Sequence, residues 1–152
     1  MQKQMFKIIL YLFILMLSFQ NLCKAEEYFL TLRNEKVNLR QGPSFEYPIK
    51  LFYKKKFLPV LVQEKFENFR KIRDHENNTG WIHVSQLSKK KAAIVIDDEA
   101  YIFSNNSIYS KPLAVSKNGK LLLIKKCKKD WCKISNKKFK GWVKKESLWG
   151  LF

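Results

Sequence analysis

Cys127 and Cys132 lie five residues apart in the stretch KKCKKDWCKISNKKFKGWVKKESLW (125–149), with Trp131 and Trp142 nearby and lysine filling most of the rest. Side chains of these types support several chemistries. A thiolate whose pKa is lowered by lysines is a nucleophile when an oriented base stands beside it. Two thiolates with His75 and His83 are numerically enough for a tetrahedral zinc ion, and two thiols in an oxidising compartment close a disulfide. Spacing separates these readings. The histidines are eight residues apart, far from the cysteines and without knuckle spacing, so no metal site is expected. A second thiol so close traps the first as a disulfide and removes the nucleophile. No paired carboxylates and no Ser/His/Asp set stand out among the 13 acidic residues, so no catalytic residue and no cofactor are assigned. His75, in a polar loop, and His83, near a strand end, read as solvent-facing.

The compartment is read from the N-terminus. Lys3 and Lys7 precede the apolar run Ile8 to Leu17, and Cys23-Lys24-Ala25 follows with small residues where a signal peptidase reads. That pattern is a secretory signal over residues 1–25, cut between Ala25 and Glu26. The run falls short of the roughly 20 residues that a membrane-crossing helix needs, so membrane attachment would require the signal to remain uncleaved. Bulky Leu22 before Cys23 argues against a lipid-anchored cysteine. The expected location is outside the cytoplasm, periplasmic or secreted, where the pair Cys127 and Cys132 favours a disulfide.

Charge is read in that light. The chain carries 30 Lys and Arg; without Lys3, Lys7 and Lys24 there are 27 against 13 acids, a net +14. Inside a cell this would suggest nucleic acid. An exported protein meets anionic envelope polymers and lipid head groups instead, attracted in the same salt-dependent way. Compositional drift in a chain rich in Lys, Asn, Ile and Phe is an equal explanation, so charge alone names no partner and no nucleic acid is expected. Aromatic residues at 14% place the chain well away from disorder.

Self-comparison gives the architecture. LPVLVQEKFENFRKI (58–72) lies over KLLLIKKCKKDWCKI (120–134), and GWIHVSQL (80–87) over GWVKKESL (141–148), about 62 residues apart. The expected organisation is therefore two small domains, 26–90 and 93–152, joined at Ser88-Lys89-Lys90-Lys91. Short Val/Ile/Phe/Tyr-rich runs such as YFLTL, KVNLR, IKLFY, PVLVQEKF, FRKIR and GWIHV alternate with turn signals at 41–48, 54–56 and 74–80. About five short strands in each copy, with single helical turns at SQL and ESLW, make an all-β fold of two tandem small barrels closed by strand pairing.

Asn38, Arg40, Gly42, Pro43 and Ser44, followed by Gly80, Trp81 and Leu87, resemble the opening turn and closing strand of the bacterial SH3-like (SH3b) family. The second copy fits the closing half, while YIFSNNSIYSKPLAV (101–115) lacks the Arg-x-Gly-Pro turn. The resemblance implies exported cell-envelope binding modules with no chemistry of their own.

In the repeat alignment the cysteines face each other across a four-residue loop, a geometry that allows the Cα separation of about 5.5–6 Å common in disulfides. The first copy has Lys65 and Arg70 there, so the fold does not require the bridge.

Strand parity sets Ile82 and Val143 inward and Trp81 and Trp142 outward; Ile134 and Cys132 share one face, Trp131 takes the other, and Phe69 opposes Ile72 unless a bulge intervenes. Each copy then offers an aromatic pair for a ligand, Phe69/Trp81 and Trp131/Trp142. The competing reading has these rings capping barrel ends or filling the space between modules. Tyr47 and Phe52 are expected in the first core, and Trp149-Gly150-Leu151-Phe152 tucked against a barrel. Lysine runs at 54–56, 89–91, 125–126, 128–129, 137–138 and 144–145 would make a cationic binding surface only if they share a side with the tryptophans. The expected partner is cell-wall glycan or peptide, or an envelope protein. The alternatives are a structural adaptor and, from another class, a thiol enzyme. Oligomeric state is not legible.

Overall fold

The computed structural model of the protein describes residue 4, residues 26–135 and residues 140–151. The expected signal segment, with Ala25 at its cleavage point, lies outside the described residues except for residue 4; Glu26, on the other side of the cut, is exposed.

The chain forms two seven-stranded antiparallel sheets in tandem. The first is built from β1 (Tyr28–Leu32), β2 (Val37–Arg40), β3 (Ile49–Tyr53), β4 (Pro59–Phe66), β5 (Phe69–Arg73), β6 (Thr79–His83) and β7 (Leu87–Ser88), in the order β3-β2-β6-β5-β4-β1-β7. The second repeats that order one set later: β8 (Ala92–Val95), β9 (Glu99–Phe103), β10 (Pro112–Lys117), β11 (Leu121–Lys128), β12 (Trp131–Ser135), β13 (Lys140–Lys144) and β14 (Leu148–Trp149), arranged β10-β9-β13-β12-β11-β8-β14. Each penultimate strand is followed by one 3₁₀ turn, Val84–Gln86 or Lys145–Ser147, where single helical turns were expected. The expected closure of each barrel by strand pairing is corrected: among the described residues β3 and β7, like β10 and β14, form no ladder with each other, so each sheet curls without closing.

Alternation along the strands buries one face. Leu32, Val37, Leu39, Val60, Val62, Ile72, Ile82 and Leu87 make the first core; Ala93, Val95, Ile102, Leu122, Ile124, Cys132, Ile134 and Val143 make the second. The repeated glycines have a packing reason. A Cβ on Gly80 would stand 2.7 Å from the Arg40 carbonyl oxygen, and one on Gly141 would stand 2.5 Å from Ile102 and 2.9 Å from the Phe103 carbonyl oxygen. Glycine is therefore what lets β6 and β13 approach β2 and β9, and it places the following tryptophan on the outer face.

Tyr47 and Phe52 are corrections: both are about half exposed. Tyr47 covers Gly42, whose added Cβ would meet its ring at 2.5 Å, and Phe52 lies beneath the ammonium groups of Lys36 and Lys54. The aromatic that enters the first core is Tyr53, because Val37 opposite it sets the inward register. Its hydroxyl donates to buried Asp74 at 3.0 Å. Asp74 also accepts from the backbone N–H of Glu76 and Asn78 and from the Asn78 side chain, so one carboxylate organises the 74–78 loop. Burial, then that carboxylate, push the Tyr53 phenol far above its ordinary value.

The modules pack against each other. Phe29 meets Trp149 edge-to-face at 4.9 Å, Ile94 of β8 joins the first core, and Pro59 closes on Gly150. The linker is held, since Thr31 Oγ1 donates to the Lys90 carbonyl at 2.9 Å. Trp149 is thus tucked as expected, but against the other module. His75 corrects the solvent-facing reading: it is largely shielded, its ring 6.1 Å from that of Trp149.

Candidate ligand groove

The outer faces of the two sheets correspond strand by strand. In the first module Arg40 opposes Trp81, Lys71 opposes Trp81 from the other side, Phe69 opposes His83 and Phe66 opposes Phe69. In the second, Phe103 and Lys133 flank Trp142, Trp131 opposes Lys144 and Lys128 opposes Trp131. A one-residue bulge after Val62, and its counterpart after Ile124, reverses the parity of the hairpin ends. That shift puts Phe66 and Lys128 on the outer face.

Loop 41–48 folds over this face. Arg40 Nη1 donates to the carbonyls of Phe45 (3.0 Å) and Tyr47 (2.8 Å), which fixes the loop and explains the arginine in the opening turn. Phe45 is thereby set over Phe69 (5.2 Å) and His83 (5.0 Å), which themselves stand 5.1 Å apart. This closed triangle leaves Phe69 only 6% exposed, with Phe45 as its 61%-exposed lid. His83 Nδ1 is occupied locally, accepting from Ser85 N–H at 3.3 Å and lying 2.7 Å from the Ser85 hydroxyl.

The second module keeps the loop without its sequence. Ser110 Oγ donates to the carbonyls of Ser107 (2.7 Å) and Asn105 (3.1 Å), doing with one hydroxyl what Arg40 does in the first. The turn at Ser107, bonded to Tyr109 N–H, repeats that of Ser44 to Glu46 N–H. Ile108 therefore stands where Phe45 does, Trp131 where Phe69 does, and Lys144 where His83 does. Ile108, 53% exposed, is too small to bridge to Trp131, and a cavity of about 620 Å³ opens between them. Asn106, Asp130, Lys144 and Glu146 complete its walls. The hairpin turn is fixed by Lys145 N–H donating to the Asp130 carbonyl at 2.7 Å. Lys144 bonds Glu146 at 2.8 Å, which holds its ammonium above the ordinary lysine value.

All four expected ligand-facing aromatics lie on outer faces, but they are not equivalent. Trp131 lines the groove, with Phe103 edge-on at 5.5 Å. Trp142, 9% exposed, lies under Lys133 at 5.6 Å. Trp81 is half-buried, 6.5 Å from Phe66, and Phe69 is beneath Phe45. Phe45, Ile108 and Phe103 were missed. Setting 40–48 against 103–111 would have found them, but the two loops share only Ser44/Ser107.

Cys127 and Cys132 are joined, with sulfurs 1.97 Å apart. They sit in the β11–β12 ladder itself, across a two-residue turn, rather than across a four-residue loop. As directly opposed cross-strand partners their Cα atoms are 4.0 Å apart, closer than expected, as in narrow antiparallel pairs.

The family model described as "Bacterial SH3 domain" matches residues 33–89 and 98–150, most of the chain, once over each sheet. The chain belongs to the bacterial SH3 domain family. Within this SH3 pair the second copy is a member despite lacking the Arg-x-Gly-Pro turn. A search of curated proteins finds no match. Among solved structures, the SH3 pair is similar to NlpC2 from Trichomonas vaginalis at 14% identity, covering 82% of this chain and 48% of that one with a TM-score of 0.37. NlpC1 from Trichomonas vaginalis gives 14%, 81%, 45% and 0.37, and an NlpC/P60 family protein from Bacillus cereus ATCC 10987 gives 14%, 80%, 55% and 0.36. The chain thus spans about half the length of each, and similarity at this level carries no functional argument.

Proposed function

We propose that the protein is a non-enzymatic, exported binding module that holds cell-wall material, the peptide or glycan of peptidoglycan, in the groove of its second SH3 domain. The observation that carries this is the open groove between Ile108 and Trp131, at the place where Phe45 and Phe69 close the first domain. A concave site with an apolar ring and a few fixed polar groups is what a small extended ligand needs. Family membership supports a binding role, and the disulfide, which consumes the thiols of Cys127 and Cys132, supports an oxidising location and removes the thiol nucleophile. Among the described residues no helix is long and apolar enough to cross a membrane.

The test is sedimentation of the protein, lacking residues 1–25, with isolated peptidoglycan across a salt series, beside Trp131→Ala. Salt-resistant binding lost in the variant supports the groove; binding abolished by moderate salt in both proteins defeats it. A second reading, a structural adaptor for an envelope protein, is favoured by β10. It is an edge strand carrying exposed Leu113 and Val115, an arrangement open to a partner's strand. Co-purification of a defined protein that survives Trp131→Ala would favour the adaptor.

A further inference from the structure

Register allows the outer faces to be compared position by position. Glu64, Phe66, Lys71, Thr79 and His83 of the first domain correspond to Lys126, Lys128, Lys133, Lys140 and Lys144 of the second. In the first domain the only opposite charges among these five neutralise each other, Lys71 Nζ lying 2.7 Å from Glu64. In the second, all five positions are lysine, and among the described residues only Lys144 has a carboxylate within ion-pair distance. Lys126 and Lys133 are directly opposed. Like charges so placed destabilise a sheet, and a local rule broken without compensation marks a surface built for something else. Compositional drift would scatter lysine over both copies alike; here four of the five positions gain a lysine in the second copy, and the fifth, Lys133, loses the carboxylate partner that Lys71 has in Glu64.

The lysines interleave with rings. Lys128 and Lys144 are the ladder partners of Trp131, Lys133 is the partner of Trp142 with its ammonium over that ring, and Phe103 and exposed Tyr101 extend the row across β9. Successive positions on one face of a strand are about 7 Å apart, so cations recur along the strands with aromatic faces between them.

We infer that the outer face of the second SH3 domain binds an acidic polysaccharide, a linear chain of saturated rings bearing carboxylate or phosphate groups. Its anionic groups lie against Lys126, Lys128, Lys133 and Lys140, and its rings lie over Trp131 and Tyr101. This rests on the proposed wall-binding role in placing the ligand on the second domain, and goes beyond it in naming a polyanion and a surface larger than the groove. Aromatic faces favour a chain of rings over a flexible acidic peptide, and the strand-wise repeat of charge favours a polymer over a single anion.

The test uses oligomers of polygalacturonate, the same oligomers fully methyl-esterified, and poly-glutamate of matched charge, followed by titration calorimetry. The protein is compared with Lys126→Gln/Lys128→Gln/Lys133→Gln/Lys140→Gln, which spares the groove lysines, and with Lys36→Gln/Lys54→Gln/Lys56→Gln/Lys117→Gln, which removes equal charge elsewhere. The expected result is binding of polygalacturonate weakened at least about tenfold by the first variant and less than about threefold by the second, with the ester and poly-glutamate weak throughout, because fixed local charge rather than net charge sets the attraction. Equal losses in both variants would overturn the inference, as would poly-glutamate binding as tightly as polygalacturonate. If polygalacturonate fails while peptidoglycan binding still depends on Trp131, this inference falls and the groove reading stands; if peptidoglycan fails while polygalacturonate binds as described, the reverse holds.

Discussion

The two SH3 domains share order, register, bulge and glycine, yet they solve the same surface problem in opposite ways. In the first, Arg40 fixes a loop that delivers Phe45 onto Phe69 and His83, and the outer face is filled by its own aromatic triangle. In the second, Ser110 fixes the loop and Ile108 replaces Phe45, so Trp131 faces a cavity. The first copy invests its aromatics in stability; the second leaves one available. The bridge fits this division. Without the ring stack that braces the first hairpin, the β11–β12 hairpin is braced covalently by Cys127–Cys132, at the positions of Lys65 and Arg70. On the proposed function, recognition and support are divided between two copies of one fold.

The largest effect that could break this comparison comes from its paired rings. Phe69→Ala should cost about 3 kcal/mol in denaturant unfolding, because a buried ring is removed from a filled cluster. Trp131→Ala should cost clearly less in the same assay while weakening ligand binding at least about tenfold, since a ring facing a groove contributes to the ligand more than to the core. Equal stability losses would mean that the second ring is structural too.

Next comes the bridge. Replacing both Cys127 and Cys132 by Ala should lower stability by about 2 kcal/mol, the value for a short closed loop, and reduce ligand affinity by loosening the Asp130–Trp131 wall. An unchanged melting temperature would remove the bracing argument. The exchange of lids follows. Ile108→Phe should close the groove and weaken binding several-fold with stability unchanged or raised; binding unaffected by the larger side chain would place the ligand elsewhere.

The smallest effect concerns the buried pair that belongs to the first domain alone, where Ser116 occupies the place of Tyr53. Tyr53→Phe should cost about 1 kcal/mol by removing one of the two hydrogen bonds that Asp74 Oδ2 accepts, the other coming from the Asn78 side chain. The raised phenol pKa adds a pH signature. The folded state holds the proton more tightly than the unfolded chain, so this stability is complete below the ordinary tyrosine value of 10.0 and is lost as pH rises above it. Wild-type stability measured above that pH should fall more steeply than that of Tyr53→Phe.

What could be read directly followed from local pattern. Two-residue alternation separated Ile82, Val143, Cys132 and Ile134 from the tryptophans, and the recurring Gly-Trp fixed the repeat, because these signals depend only on strand geometry. The loops escaped that logic. GPSFEY and NSIYS adopt matching turns through different donors, Arg40 in one and Ser110 in the other, so no shared motif announced Phe45 or Ile108. Tyr47 and Phe52, expected in the first core, instead lie outside it, one packed on Gly42 and the other under two lysines.

The sequence by itself determined the family, the strand faces and the pairing of the only two cysteines after residue 25, since each rests on residue type and spacing along one chain. Tertiary structure decided which ring is covered, which groove is open, that five lysines share a face with Trp131, and that Phe29 meets Trp149 between the modules. Those outcomes depend on loop placement and strand register between segments distant in sequence, where a change from Phe45 to Ile108 alters the space left over rather than the pattern along either strand.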